Sequence, residues 1–203
     1  MLTVKQKKVL KYTENKVREL FVHYDAPAHG LDHVERVHYW INILAKKEKA
    51  GIFLCNMVAL LHDIGRTREK KDLRPHAEIS YDMCREWFKD DAVFNDLTKQ
   101  EKIEILYAIR YHWNDAADKY ITADLLRDAD KMDTFGKIGV KRAIEYWQLD
   151  EKGLKDALRM IPNNLYWLKT KTAQRIVKQE NLLKPVMDFY FKLLKKDIKD
   201  VEL

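Results

Sequence analysis

Seven histidines occupy positions 23, 29, 33, 38, 62, 76 and 112, and His62 is followed directly by Asp63. The doublet closes an apolar run, Met-Val-Ala-Leu-Leu-His-Asp-Ile-Gly. On a helix, His62 shares a face with Val58 and Ala59, at i−4 and i−3. By the same spacing His112 sits with Ile105, Ala108 and Ile109, Asp130 stacks on Leu126, and His33 has Val37 and Trp40 above it. Each of these polar groups therefore points at or beside a core. A carboxylate placed there costs on the order of several kcal/mol unless it is paired or bound to a metal. A lone core histidine needs only a hydrogen-bond partner, and Asp63 alone needs only a cap or Arg66. Five such groups on different helices call for a common explanation. Neutral imidazoles and carboxylates are the donors that Zn, Fe or Mn accept, and an adjacent His-Asp pair offers two from one turn.

Other chemistry is missing. The single serine, Ser80 in Glu-Ile-Ser-Tyr, sits in no glycine-flanked elbow, which argues against serine hydrolysis. No Walker A loop, GxGxxG or HExxH occurs, nor any Cys/His zinc-finger spacing. Cys55 and Cys84 fall in no paired pattern and read as reduced thiols.

These residues resemble the HD-domain metal-dependent phosphohydrolases, a family marked by a His, a His-Asp doublet and a distant Asp on an α-helical bundle. The matching positions are His33 in His-Gly-Leu-Asp-His-Val-Glu-Arg-Val, His62-Asp63 in Leu-Leu-His-Asp-Ile-Gly-Arg, and Asp130 in Arg-Asp-Ala-Asp-Lys-Met-Asp. The gaps, 29 residues from His33 to His62 and 67 from Asp63 to Asp130, suit the family, and the resemblance spans about residues 25–150. Some branches hold two metals and add histidines before the last Asp. His76 in Arg-Pro-His-Ala-Glu-Ile-Ser and His112 in Ala-Ile-Arg-Tyr-His-Trp are the candidates, and this stretch looks similar to dinuclear members that hydrolyse dinucleoside tetraphosphates. The gap of 13 residues from Asp63 to His76 is a departure on the short side. The resemblance implies one or two divalent ions, of Mn, Fe, Co, Ni or Zn, on His33, His62, Asp63, His76, His112 and Asp130. Asp63 and the ion would hold a water, lower its pKa toward neutrality and present hydroxide in line to phosphorus. Arg66 and Lys131 are candidates to contact phosphate. His29 is a candidate to support His33 or face substrate, and Glu78 a candidate proton shuttle.

Helices must carry all of this. Periodicity is helical nearly throughout, with no convincing run of alternating β-branched residues. Expected helices run to about Tyr24; from Asp32 as N-cap to about Glu48; from Phe53 to His62, stopped by Gly65; from Pro75 to about Lys89; and from Thr98 to about His112. Others run from Thr122 through Asp130 and from Phe135 to Trp147, with further helices from Gly153 to Lys199 interrupted near Pro162 and Pro185. Residues 25–30 break the first helix from the second. Thr98 with Glu101 fits a capping box. The expected architecture is all-α: an HD-type bundle in one domain over residues 1–203, its core at about 25–150 and its C-terminal helices, 151–203, packed on it.

The 203 residues, 46% hydrophobic and 34% charged, suit a globular protein. The longest largely apolar stretch, Ile52 to Leu61, contains Asn56 and is half a membrane span. The first residues lack the apolar core of a signal peptide, so a cytoplasmic location is expected. Lysine and arginine exceed aspartate and glutamate by 38 to 32, which suits an anionic partner. One knot of charge, Arg66, Arg68, Lys70, Lys71 and Arg74, lies beside the motifs and could roof the pocket. The leading reading is a phosphohydrolase acting on a nucleotide or another small phosphorylated metabolite. Alternatives are a phosphodiesterase of cyclic or oligomeric nucleotides, and a metal-containing nucleotide- or RNA-binding protein. The five tryptophans fall one per helix rather than in a basic stripe, so a nucleic-acid partner is not favoured. A homodimer is compatible with the sequence.

Overall fold

The computed structural model describes residues 1–24, 28–69, 71–147 and 150–201, with side chains through 195. The fold is all-α, and the described residues contain no strand. The helices are α1 (Val4–Phe21), α2 (Leu31–Glu48), α3 (Ile52–Leu61), α4 (His76–Asp90), α5 (Lys99–Tyr111), α6 (Ile121–Met132) and α7 (Gly136–Trp147). They continue as α8 (Glu151–Met160), the single turn α9 (Asn164–Trp167), α10 (Lys171–Gln179) and α11 (Lys184–Val201). No described helix is long and apolar enough to cross a membrane.

α3 is the pivot. Its sequence is apolar on almost every side, as expected of a helix with no solvent face, and Phe53, Cys55 and the run Met57 to Leu61 are all buried. α1, α2, α5 and α6 pack around it. The chain leaves α3 at His62, so the doublet emerges inside the bundle. Both cysteines are free and buried, and burial pushes the Cys55 thiol up to about 12.

The other ends are set by local chemistry. Thr98 caps α5 in the expected box with Glu101. The expected cap of α2 differs: Gly30 is the N-cap, and Asp32 lies inside the helix, where its carboxylate accepts from Arg36 Nη1 at 2.6 Å. An arginine at i+4 gives that carboxylate a better partner than a backbone N–H. Residues 25–27 of the expected break, and Lys70 of the basic knot, lie outside the described residues.

The C-terminal helices return to the core. Asp128, fully buried on α6, accepts from the backbone N–H groups of Lys169 at 2.6 Å and Thr170 at 2.8 Å, and from the Thr170 hydroxyl at 2.7 Å. That clamp sets the start of α10, which lays Ala173, Ile176 and Val177 inward and packs on α2 and α6. α11 packs on α7 and α8.

Candidate metal centre

His33 on α2, His62 at the end of α3 and Asp130 on α6 bring one donor atom each into a group spanning no more than 4.8 Å. Asp63, His76 at the start of α4 and His112 at the end of α5 form a second group of the same size. Within the first, His33 Nε2 lies 3.3 Å from His62 Nε2 and 3.3 Å from Asp130 Oδ1. Within the second, His76 Nε2 lies 3.3 Å from His112 Nε2 and 3.4 Å from Asp63 Oδ1. Asp63 also adjoins the first group. Its other oxygen, Oδ2, faces the first group, 3.7 Å from His33 Nε2 and 3.8 Å from His62 Nε2.

The rings are aimed by what lies behind them. His62 Nδ1 faces the Ala59 carbonyl at 2.8 Å and His112 Nδ1 the Ile109 carbonyl at 2.7 Å. Each carbonyl accepts a hydrogen bond from the ring's Nδ1–H, so each Nε2 lone pair is directed into the centre. His33 Nδ1 meets Asp133 Oδ2 at 2.8 Å, and Arg36 and Arg142 hold that carboxylate, at 2.7 Å and 3.0 Å. Behind His76 stands Glu69, 3.9 Å from Nδ1 and bonded to Arg66 at 3.2 Å. Imidazole nitrogens and carboxylate oxygens in this mixture fit borderline divalent transition ions, so the residues suit the group their pattern implies.

Burial and charge tune the set in opposite directions. Burial lowers His62 to about 4 and His76 to about 3, so both rings are neutral at pH 7. Burial alone would raise the carboxyl of Asp63, but His62, Arg66, His76 and His33 hold it well below the usual carboxylate range. Asp130 is likewise held low, against its burial, by the hydrogen bond and charge of His33. His33 is the exception: burial would lower it, and the hydrogen bonds of Asp130 and Asp133 raise it.

All six expected ligands are thus brought together. The short gap from Asp63 to His76 opens with a 3-10 turn, Ile64–Arg68. Gly65 lets that turn press against α4, since a Cβ there would stand 2.3 Å from the His76 carbonyl oxygen and 2.6 Å from the Ser80 nitrogen. Ser80, the one serine, accepts from the Gly65 N–H at 2.8 Å.

Arg66 reaches the centre, donating to Asp63 Oδ2 at 3.3 Å and contacting His76 Nε2 at 3.5 Å. Arg68 and Arg74 of the basic knot point away from it. Arg68 pairs with Glu86, and Arg74 with Asp72 and Asp82, all exposed or half-exposed groups. Lys131 follows Asp130 half-buried, with no ion pair within 4.0 Å among the described residues; burial lowers its ammonium pKa, helped by Arg127. Glu78 accepts from Arg110 Nε at 2.9 Å. His29 packs edge-on against His33, ring centres 5.8 Å apart, and burial lowers it to about 4. His38 lines a separate cleft of about 210 Å³ between α1, α2 and α3. The sequence reading missed Asp133, Arg36 and Arg142. Asp133 carried a signal, since it lies three residues past Asp130 on a neighbouring helix position.

A cavity of about 330 Å³ opens beside the centre, with Arg66 and His29 at one end and Tyr146 and Trp147 along α7.

Comparison with known proteins gives a family and a fold. The family model of the HD domain matches residues 30–134. The uncharacterized protein YpgQ of Bacillus subtilis is 25% identical over 128 residues, 60% of this chain and 58% of its own length. The match thus spans less than two thirds of that relative. A protein described as a predicted HD superfamily hydrolase, from an uncultured Thermotogales bacterium, has a solved structure 26% identical to this chain, with a TM-score of 0.69 over 92% of each. Bacillus subtilis YpgQ has also been solved in complex with ADP. Its structure superposes with a TM-score of 0.73 over 98% of this chain and 100% of that one, at 18% identity, a likeness of fold.

Proposed function

The chain belongs to the HD domain family, and from that membership we propose that it is a metal-dependent phosphohydrolase acting on a nucleotide or a similar small phosphorylated metabolite. The observation that carries the proposal is the division of Asp63: one carboxylate oxygen faces His33 and His62, the other faces His76. Two adjoining donor sets with the Asp63 carboxylate between them are suited to two divalent ions. A divalent ion bound there supplies Lewis-acid activation of water and of the phosphoryl group. His33, His62 and Asp130 would hold one ion, His76 and His112 the other, with Asp63 between them.

The protein's own part is positioning and charge. Asp63 is buried and stays ionised through the working pH range, so it remains a ligand rather than a proton donor. Arg66 lines both the centre and the cavity, and its guanidinium would offset charge building on the phosphoryl oxygens. Lys131 is assigned the lesser role of a second cation near Asp130. The ADP complex of Bacillus subtilis YpgQ, which shares the fold, favours a nucleotide over a sugar phosphate as substrate.

The test is chromatographic analysis of products from nucleotides, dinucleoside polyphosphates, cyclic nucleotides and sugar phosphates, each with added Mn, Co or Fe(II). Metal-dependent turnover is expected, and Asp63→Ala is expected to abolish both turnover and metal retention while helix content stays. Turnover that survives Asp63→Ala would place the chemistry elsewhere. The bond cut separates monoesterase, pyrophosphohydrolase and diesterase, and nucleotide binding without turnover under any metal would leave a binding protein.

A further inference from the structure

The cavity beside the centre holds groups that phosphate hydrolysis does not need. Tyr146 is 57% exposed, and its ring meets His29 at 5.8 Å and Trp147 at 5.3 Å, both edge-on. Trp147 is fixed from behind. A Cβ at Gly153 would stand 2.2 Å from the indole Cε3, so the ring rests on the glycine backbone in the first turn of α8. Asp150 caps that turn by accepting from the Gly153 N–H at 2.8 Å. The polar side chains along the cavity are engaged elsewhere. Arg142 donates to the Ala28 and Asp133 carbonyls, while Thr134 donates to the Lys131 carbonyl and accepts from Asn164. A ligand here meets aromatic and aliphatic surface, with the Arg66 guanidinium and His29 at the metal end and Arg142 tied to backbone carbonyls.

We propose that this cavity receives the aromatic base of a nucleotide, with Tyr146 and Trp147 as its stacking surfaces and Gly153 setting the place of Trp147. The proposal rests on the phosphohydrolase reading of the adjoining centre. Stacking engages the face that every base has, so all four bases are accepted, purines ahead of pyrimidines because they offer more surface. At about 330 Å³ the cavity lies at the small end of ligand sites, room for one nucleoside. A dinucleoside polyphosphate would leave its second base outside.

Calorimetric titration of the metal-loaded protein with α,β-methylene-ADP and with methylene diphosphonate separates base from phosphate. The wild type is expected to bind the nucleotide analogue more tightly than the diphosphonate. Tyr146→Ala and Gly153→Ala should each raise Kd for the nucleotide analogue about tenfold, the scale of one lost base–aromatic contact. Diphosphonate affinity and metal content should not move, and Tyr146→Phe should retain nucleotide affinity. Tyr146 is exposed, so its variants test the idea even if Gly153→Ala folds poorly. Equal affinity for the two ligands in the wild type, or unchanged nucleotide affinity in Tyr146→Ala, overturns the base subsite and leaves the phosphohydrolase reading standing. Equal weakening of both ligands in Tyr146→Ala overturns it too. The reading of the centre fails separately, by absence of metal-dependent turnover.

Discussion

His33 owes its aim to a residue outside the ligand set. Asp133 is buried, takes the His33 Nδ1 contact, and is itself held by two arginines. Such outer partners typically carry 10- to 100-fold of a site's metal affinity. Asp133→Asn keeps the shape but removes the charge shared by His33, Arg36 and Arg142. Metal affinity at the His33 side is therefore expected to fall by about 10- to 100-fold, with turnover recovering at saturating metal. Chelator competition measures the first and metal-titrated kinetics the second; affinity equal to the wild type would strip Asp133 of this role. The hydrogen bonds that raise the His33 pKa also make its proton a competitor for the ion. Five of the six candidate ligands were legible as polar residues at or beside core-facing positions, whereas His76 came only from the family resemblance. Asp133 was not legible, because the segment holds Asp128, Asp130 and Asp133 and periodicity alone does not say which faces the centre. Asp128 and Asp130 are two positions apart, roughly 200° around the helix, and the former clamps Thr170.

Among elements, the join between α3 and α4 matters most. Sequence showed that α3 ends near Gly65 and that His76 opens a helix near Pro75. It did not show that the intervening turn folds against α4, since that contact depends on a glycine approaching backbone from a distant element. Capping divides the same way: the Thr98–Glu101 box is local and was legible, whereas Asp32 is drawn into α2 by Arg36. Outward pairing of Arg68 and Arg74 was equally hidden, because their acidic partners Glu86 and Asp82 stand on α4. Gly65→Ala tests the join. The new methyl meets backbone atoms of His76 and Ser80, which cannot rotate aside, so the first turn of α4 must shift. We expect a loss of about 1–3 kcal/mol in stability, as for other overpacked sites. Because His76 moves and His33, His62 and Asp130 do not, the variant is expected to retain one ion where two are expected of the wild type. Metal analysis after gel filtration decides it, and two ions held with wild-type affinity would show that α4 tolerates the shift.

For the whole molecule, helical periodicity was enough to read the class and most of the helices. That the C-terminal helices pack on the core was expected, but which helices α10 meets was not legible, because its place hangs on the buried carboxylate Asp128. The assembled core also fixes how stability responds to acid. Folding lowers His29 and His62 to about 4 and His76 to about 3, from an ordinary 6.5. Between those values the unfolded chain binds protons that the folded one refuses, so stability rises with pH across the window. Each contribution is complete above pH 6.5 and is lost as pH falls toward the folded value. Asp63 and Asp130, held low, add a further loss below pH 3.8. His33, Asp124 and Asp128, whose folded pKa values are raised, act in the opposite sense. Three histidines lowered to about 4 or below, with His38 lowered as well, stand against the one raised histidine. The urea midpoint of the metal-free protein is therefore expected to fall steadily from about pH 7 to about pH 4. Added Mn or Co should lift the midpoint at about pH 7 by mass action, and that lift should shrink toward about pH 5 as protons compete for His33. A midpoint flat over that range without metal would mean that these rings titrate freely in the folded chain, and the buried cluster would then be open to water.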